Sequence, residues 1–187
     1  SHGPVLIHQV LLWRNAVNLI IEKAVPADYQ MFADIIQSVW DGMEQKDWFM
    51  ADNADYTYEM LSSRQGCGYK AVDRDTGKTA GVFMTVIPGL DESNLGYDIG
   101  FTREQLLKTA HMDSVAILPE YRGQRLQCRL MQEAEKDLKE QGICYLLCTV
   151  HPENRYSRDN VLKQGYTFVT RKKKYNGNIR DILMKRL

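Results

Sequence analysis

The sequence predicts an α/β (α+β) domain: a mixed, mostly antiparallel sheet of six to seven strands flanked by helices, with a central parallel β-α-β unit and a C-terminal β-hairpin. Three observations carry this. Residues 112–118, 124–141 and 143–150 read as strand, amphipathic helix and strand, and a crossover helix makes its flanking strands parallel. Two pairs of β-branched and aromatic runs are joined by turn chemistry, Asp73-Arg74-Asp75-Thr76-Gly77-Lys78 in one and Asn176-Gly177 in the other. The length of 187 residues suits one ordinary domain, and 44% apolar with 26% charged residues excludes disordered, collagen-like and coiled-coil classes.

Taken in order, Ser1-His2-Gly3 reads as a tag remnant, and Leu6, Val10, Trp13 and Val17 follow helical spacing, so residues 1–17 are an extension before a single domain at 18–187. Residues 19–24 read as a short buried strand. Pro26-Ala27-Asp28 opens a helix to about Met43, with Phe32, Ile35, Ile36 and Val39 inward. A second helix covers 55–62, and the first hairpin pairs 68–73 with 79–87. Residues 88–109 lack a strand pattern and hold one short helix at 103–108; so long a loop is usually functional. After the β-α-β unit, whose helix is stopped by Gly142, a short helix at 153–164 ends at Gly165. The last hairpin pairs 166–175 with 178–187.

Twenty-four basic residues balance twenty-four acidic ones, which argues against a nucleic-acid backbone as the main partner. The stretch 22–75 is acidic, with eleven acidic against five basic residues, and 171–187 is basic, with seven against one. The Lys172-Lys173-Lys174 run reads as a solvated strand face. Cys67, Cys128, Cys144 and Cys148 have neither zinc spacing nor the density of a disulfide scaffold, so buried, reduced thiols in a cytoplasm are expected, with no metal. The apolar stretch 5–13 is interrupted by His8 and Gln9 and fits neither a signal peptide nor a membrane span.

The chemistry concentrates at Val115-Ala116-Ile117-Leu118-Pro119-Glu120-Tyr121-Arg122-Gly123-Gln124-Arg125-Leu126, a strand, a tight turn and a helix start. The unpaired N–H groups of a first helical turn and the positive end of the dipole favour an anion, and Arg122, Arg125 and Arg129 add charge. A pyrophosphate would fit there.

At this turn the chain resembles the GCN5-related N-acetyltransferase (GNAT) superfamily, whose pattern is Arg or Gln, two residues, Gly, one residue, then Gly or Ala. Arg122, Gly123, Gln124 and Leu126 match; Arg125 and Gln127 stand where the pattern has small residues, and their side chains are expected to narrow the cofactor site. The strand 144–150, Asn154 with Ser157 three residues on, and Gly165-Tyr166 extend the likeness over 18–187. The resemblance implies a GNAT-like fold and acetyl-CoA as co-substrate. It places the pyrophosphate on the turn from Arg122 to Gln127, and the pantetheine on backbone groups of Ile117 and Leu118 and on Asn154 and Ser157. Asn154 also suits a helix cap, and one role does not exclude the other.

The activity implied is transfer of an acetyl group to a primary amine of a small molecule or peptide, by direct attack in a ternary complex. An alkylamine with a pKa of about 10.4 is neutral in only about one molecule in two thousand at neutral pH, so a base is needed. Asp113, at a strand position where the family often carries an acid, and His111, two residues before it, are the candidates; an ion-paired Asp113 and an ordinary strand-end His111 are the alternatives. The family's usual acid is a Tyr seven residues after the Asn, and here that residue is Val161, which leaves Tyr156 as the nearest phenol. The acceptor is expected against residues 89–109, acidic through Asp91, Glu92 and Asp98, and against the first helices, with walls drawn from Trp40, Trp48, Phe49, Tyr97 and Phe101. A non-catalytic acyl-CoA-binding or sensing module is the competing reading. Either a monomer or a homodimer fits.

Overall fold

Seven strands share one sheet: β1 (Leu19–Lys23), β2 (Gly66–Asp73), β3 (Thr79–Val86), β4 (Thr109–Ile117), β5 (Tyr145–Val150), β6 (Thr167–Lys174) and β7 (Asn178–Arg186), in the spatial order β1-β2-β3-β4-β5-β7-β6. The helices are α1 (Tyr29–Asp41), α2 (Ala54–Ser62), α3 (Arg103–Leu107), α4 (Leu126–Glu140) and α5 (Arg155–Lys163). The computed structural model describes residues 18–48, 53–174 and 177–187. The helical pattern of residues 1–17, Phe49 and Asn176 of the expected turn lie outside the described residues; Gly177 has the positive φ, 87°, that such a turn requires.

Neighbouring strands run antiparallel except β4 and β5. Alternation along the central strands divides the core in two. Phe83 of β3 and Met112 of β4 pack with Leu126, Leu130, Met131, Ala134 and Leu138 of α4, whereas Val82, Met84 and Ala116 pack with Phe32, Ile35 and Ile36 of α1 and Met60 of α2. Each buried leucine of α4 contributes about 1.5–3 kcal/mol relative to exposure. That helix stops as its sequence demands: Gly142 is left-handed at φ 85°, and the N–H of Ile143 reaches back to the carbonyl of Leu138 at 3.1 Å.

Several boundaries move for local reasons. α4 begins at Leu126 rather than Gln124, because Gly123 (φ 82°) and Arg125 (φ 58°, ψ 27°) are left-handed and cannot continue a helix backwards. β4 reaches back to Thr109, since its first three residues pair with β5. The long connection before it is an ordered strap. Buried Asn94 donates to the carbonyls of Gly89 and Leu106 and accepts from the N–H of Gly96, leading into a 3₁₀ turn at Leu95–Ile99. Of the four thiols, all free, only Cys148 is buried; Cys67, Cys128 and Cys144 are partly exposed.

Candidate active site

β4 and β5 pair at only three positions, Thr109 with Tyr145, Ala110 with Leu146 and His111 with Leu147, and then splay apart. At the same point the β3–β4 ladder slips. Thr85 faces Met112 and Met84 faces Ser114, so Asp113 is the extra residue of a β-bulge at the mouth of the splay. A bulge re-aims a side chain, and here exposed Asp113 is turned onto a cavity of about 430 Å³.

That cavity runs through the splay. Asp113, Ser114 and Val115 line it from β4, and Thr149, Val150 and His151 from β5 and its end. Val39 and Met43, with Trp48, close one side; Asn154, Tyr156, Ser157 and Val161 of the α5 region close the other, and Arg122 and Gln127 mark its end at α4. A second cavity of about 130 Å³ adjoins the start of α4 and is lined by Ile117, Arg122, Gly123, Arg125, Leu126 and Gln127, with Tyr156 and Asn160 opposite. Arg122, Gly123, Arg125, Leu126 and Gln127 of the expected anion-binding turn therefore line the second cavity, and Arg122 and Gln127 line both. Gln124 lies outside both linings.

The guanidinium groups of Arg122 and Arg125 make no hydrogen bond or ion pair among the described residues, whereas Arg129 donates to the carbonyl of Leu19 at 2.9 Å and is committed to β1. Lys78 and Glu120 (2.6 Å) and the Tyr121 hydroxyl, which donates to Asp73 at 3.1 Å, tie the turn to the β2–β3 hairpin. Arg125 is the only described non-glycine residue with a positive φ. Of the backbone groups expected to hold a ligand, the N–H of Leu118 already donates to the carbonyl of Ala80 and is not available. Asn154 accepts the N–H of Ser157 at 3.2 Å, capping α5 through Oδ1 and leaving its Nδ2 without a bond among the described residues.

The two candidate bases part company. The Nε2 of His111 accepts the N–H of Leu95 at 3.1 Å, and His111 is absent from both cavity linings. Burial, with Lys174 nearby, pushes its pKa down to about 4, so the ring is neutral and anchors the 88–108 strap. Tyr156 is 72% exposed and borders both cavities. Residues 88–108 line neither cavity: Asp98 is paired with Lys174 at 2.8 Å, Tyr97 donates to the carbonyl of Leu90, and Phe101 packs on Tyr145. Of the proposed aromatic walls among the described residues, only Trp48 borders the main cavity.

His151 escaped the sequence reading, which ended the strand at Val150 and sought a base upstream of it. Its ring is stacked on Trp48, with centroids 5.6 Å apart, and its Nδ1 accepts the N–H of Glu153 at 3.1 Å. In the neutral ring the proton therefore sits on Nε2, 3.6 Å from Asp47. The only available signal was a histidine directly after a strand that ends at a motif. Cys148 lines the cavity too, and burial pushes its thiol up to about 12. Among the described residues no group of three His, Cys, Asp or Glu could hold a metal ion, and no helix is long and apolar enough to cross a membrane.

A family model described as "Acetyltransferase (GNAT) family" matches residues 32–166. No curated protein matches the chain by sequence. Solved structures of similar fold include the ribosomal-protein-alanine N-acetyltransferase of Brucella melitensis, at 16% identity and TM-score 0.69 over 90% of this chain and 99% of that one. Arabidopsis thaliana NAA60 in complex with acetyl-CoA gives 13% and 0.74 over 91% and 99%. The ribosomal-protein-S18-alanine N-acetyltransferase of Escherichia coli gives 14% and 0.65 over 90% and 94%.

Proposed function

From the premise that the chain belongs to the acetyltransferase (GNAT) family, we propose that it moves an acetyl group from acetyl-CoA to a primary amine of a small molecule or peptide, by direct attack in a ternary complex. The observation that carries this is the pair of adjoining cavities leading from the α4 turn, with two uncommitted arginines, to the splay where Asp113 borders the main cavity. The pyrophosphate of acetyl-CoA binds the first N–H groups of α4 with Arg122 and Arg125, and the pantetheine arm lies in the splay beside Ile117, Asn154 and Ser157.

At the mouth the amine nitrogen attacks the thioester carbonyl carbon, a C–N bond forms, the C–S bond breaks and the coenzyme leaves as thiolate. The amine proton passes to the Asp113 carboxylate, directly or through a water. A thiol pKa of about 8.5 lets the thiolate leave without an obligatory acid, which accommodates Val161 where a Tyr is usual. Tyr156 is the one tyrosine bordering the main cavity among the described residues. Direct attack is favoured over an acyl-enzyme because Cys148, the cavity's one thiol among the described residues, is held protonated by burial. His111, with its Nε2 lone pair occupied, is assigned to the fold rather than to proton transfer.

The test is thiol release from acetyl-CoA with primary amines. Asp113→Asn lowers kcat about 10²–10⁴-fold and leaves acetyl-CoA affinity unchanged. The competing reading, a non-catalytic binding module, draws on Val161 and the exposed Tyr156; it requires affinity without thiol release for any amine.

A further inference from the structure

The main cavity does not end at the polar mouth. At the vertex of the splay it turns to the α4 side of the sheet and reaches Phe83 on β3, one strand beyond β4. Phe83, Met112, Met131, Cys148 and Val161 bound this inner end; all belong to the α4-side core and none is more than 6% exposed. The inner end is thus walled by buried side chains. It presents hydrocarbon and sulfur, with no charged side chain, whereas Asp113, Ser114, Thr149 and His151 are at the outer end.

Two of its walls are methionines, unbranched and able to re-pack around a guest. The Met131 sulfur accepts from the Nε2 of Gln164 at 3.4 Å and lies 4.0 Å from the Nε2 of Gln127, and the side chain lines the cavity. Val161 stands where the family resemblance has the larger Tyr, and the missing ring leaves space against Cys148 and Met131.

We propose that this inner end is an acyl pocket and that the chain accepts acyl groups longer than acetyl, propionyl and butyryl among them, from their coenzyme A thioesters. The inference rests on the cofactor placement proposed above. A thioester carbonyl at the vertex, between the polar mouth and the apolar end, directs the acyl chain away from the attacking amine. Each further methylene then leaves water for a surface of carbon and sulfur.

Calorimetric titration with free coenzyme A and with its acetyl, propionyl and butyryl thioesters tests this without knowledge of the acceptor. The expected result is affinity rising about four-fold per added methylene from acetyl onward. Val161→Phe is expected to flatten or invert the series while coenzyme A itself still binds; should that variant fail to fold, Cys148→Leu brings bulk from the opposite wall. A wild-type series that is flat or falls from acetyl to propionyl overturns the acyl pocket and leaves the cofactor site standing. Failure of all four ligands to bind overturns the cofactor site and the pocket together.

Discussion

Replacing His111 with Gln separates a structural histidine from a catalytic one. The ring accepts the N–H of Leu95 through Nε2, with Lys174, itself bound to Asp98, as the cation beside it. In the folded protein the pKa is pushed from 6.5 down to about 4, mainly by burial, so the unfolded chain takes up a proton at a higher pH than the folded one. The stability held by the neutral ring is full above about pH 6.5 and is lost as the pH falls towards 4. At about 1.4 kcal/mol per unit the whole window corresponds to about 3 kcal/mol, of which about 2 is gone at pH 5. Gln keeps an acceptor for the Leu95 N–H and does not titrate. Urea unfolding followed by tryptophan fluorescence at pH 7.5 and pH 5.0 should show wild type losing about 2 kcal/mol more than His111→Gln between the two, while the variant keeps its thiol-release rate at pH 7.5. Equal losses in the two proteins would refute the neutral, buried ring, and a collapse of kcat in a folded variant would restore His111 as a base.

Three further expectations follow from single contacts. Arg125 is left-handed at φ 58°, so Arg125→Gly should change stability by less than about 1 kcal/mol, whereas β-branched Arg125→Val should lose about 1–3 kcal/mol; equal melting curves would contradict the backbone reading. Tyr121→Phe removes the bond to Asp73 and should cost about 1 kcal/mol in urea unfolding, with no loss meaning that the hydroxyl does not hold the turn. Asp181 is 1% exposed and pairs with both Arg158 and Arg171, whose side chains are partly exposed, so Asp181→Ala should cost about 1–3 kcal/mol through the lost charge-assisted bonds, and no loss would show that the two arginines find water at no cost.

Local signals dictated the elements that could be read from the sequence. Gly142 stopped α4 and the Asp73–Lys78 turn closed the first hairpin, because these depend on the chain's own dihedral preferences and on a stripe of apolar residues. The Arg122–Leu126 turn was legible as an anion site for the same reason. What escaped depended on contacts between distant segments. The slip that turns Asp113 into the cavity arises in the pairing of β4 with β3, and alternation counted along β4 alone puts His111 and Asp113 to one purpose. Arg129 belongs by sequence to the basic turn, yet Leu19, 110 residues away, takes its guanidinium. Residues 89–109 and the first helices were both expected to shape the acceptor site, the loop because one so long in a compact domain is usually functional; buried Asn94 and the ring of His111 fasten that strap to the body, and it is the helix side, through Val39, Met43 and Trp48, that borders the cavity.

Titration calorimetry of the wild-type protein and Arg122→Ala with acetyl-CoA tests the central claim, that the α4 turn and the β4–β5 splay form one cofactor site. Binding by the wild type, weakened at least about ten-fold when the charge-assisted bonds of Arg122 are removed, is the predicted result. Absence of wild-type binding, or equal affinity in the variant, would contradict it.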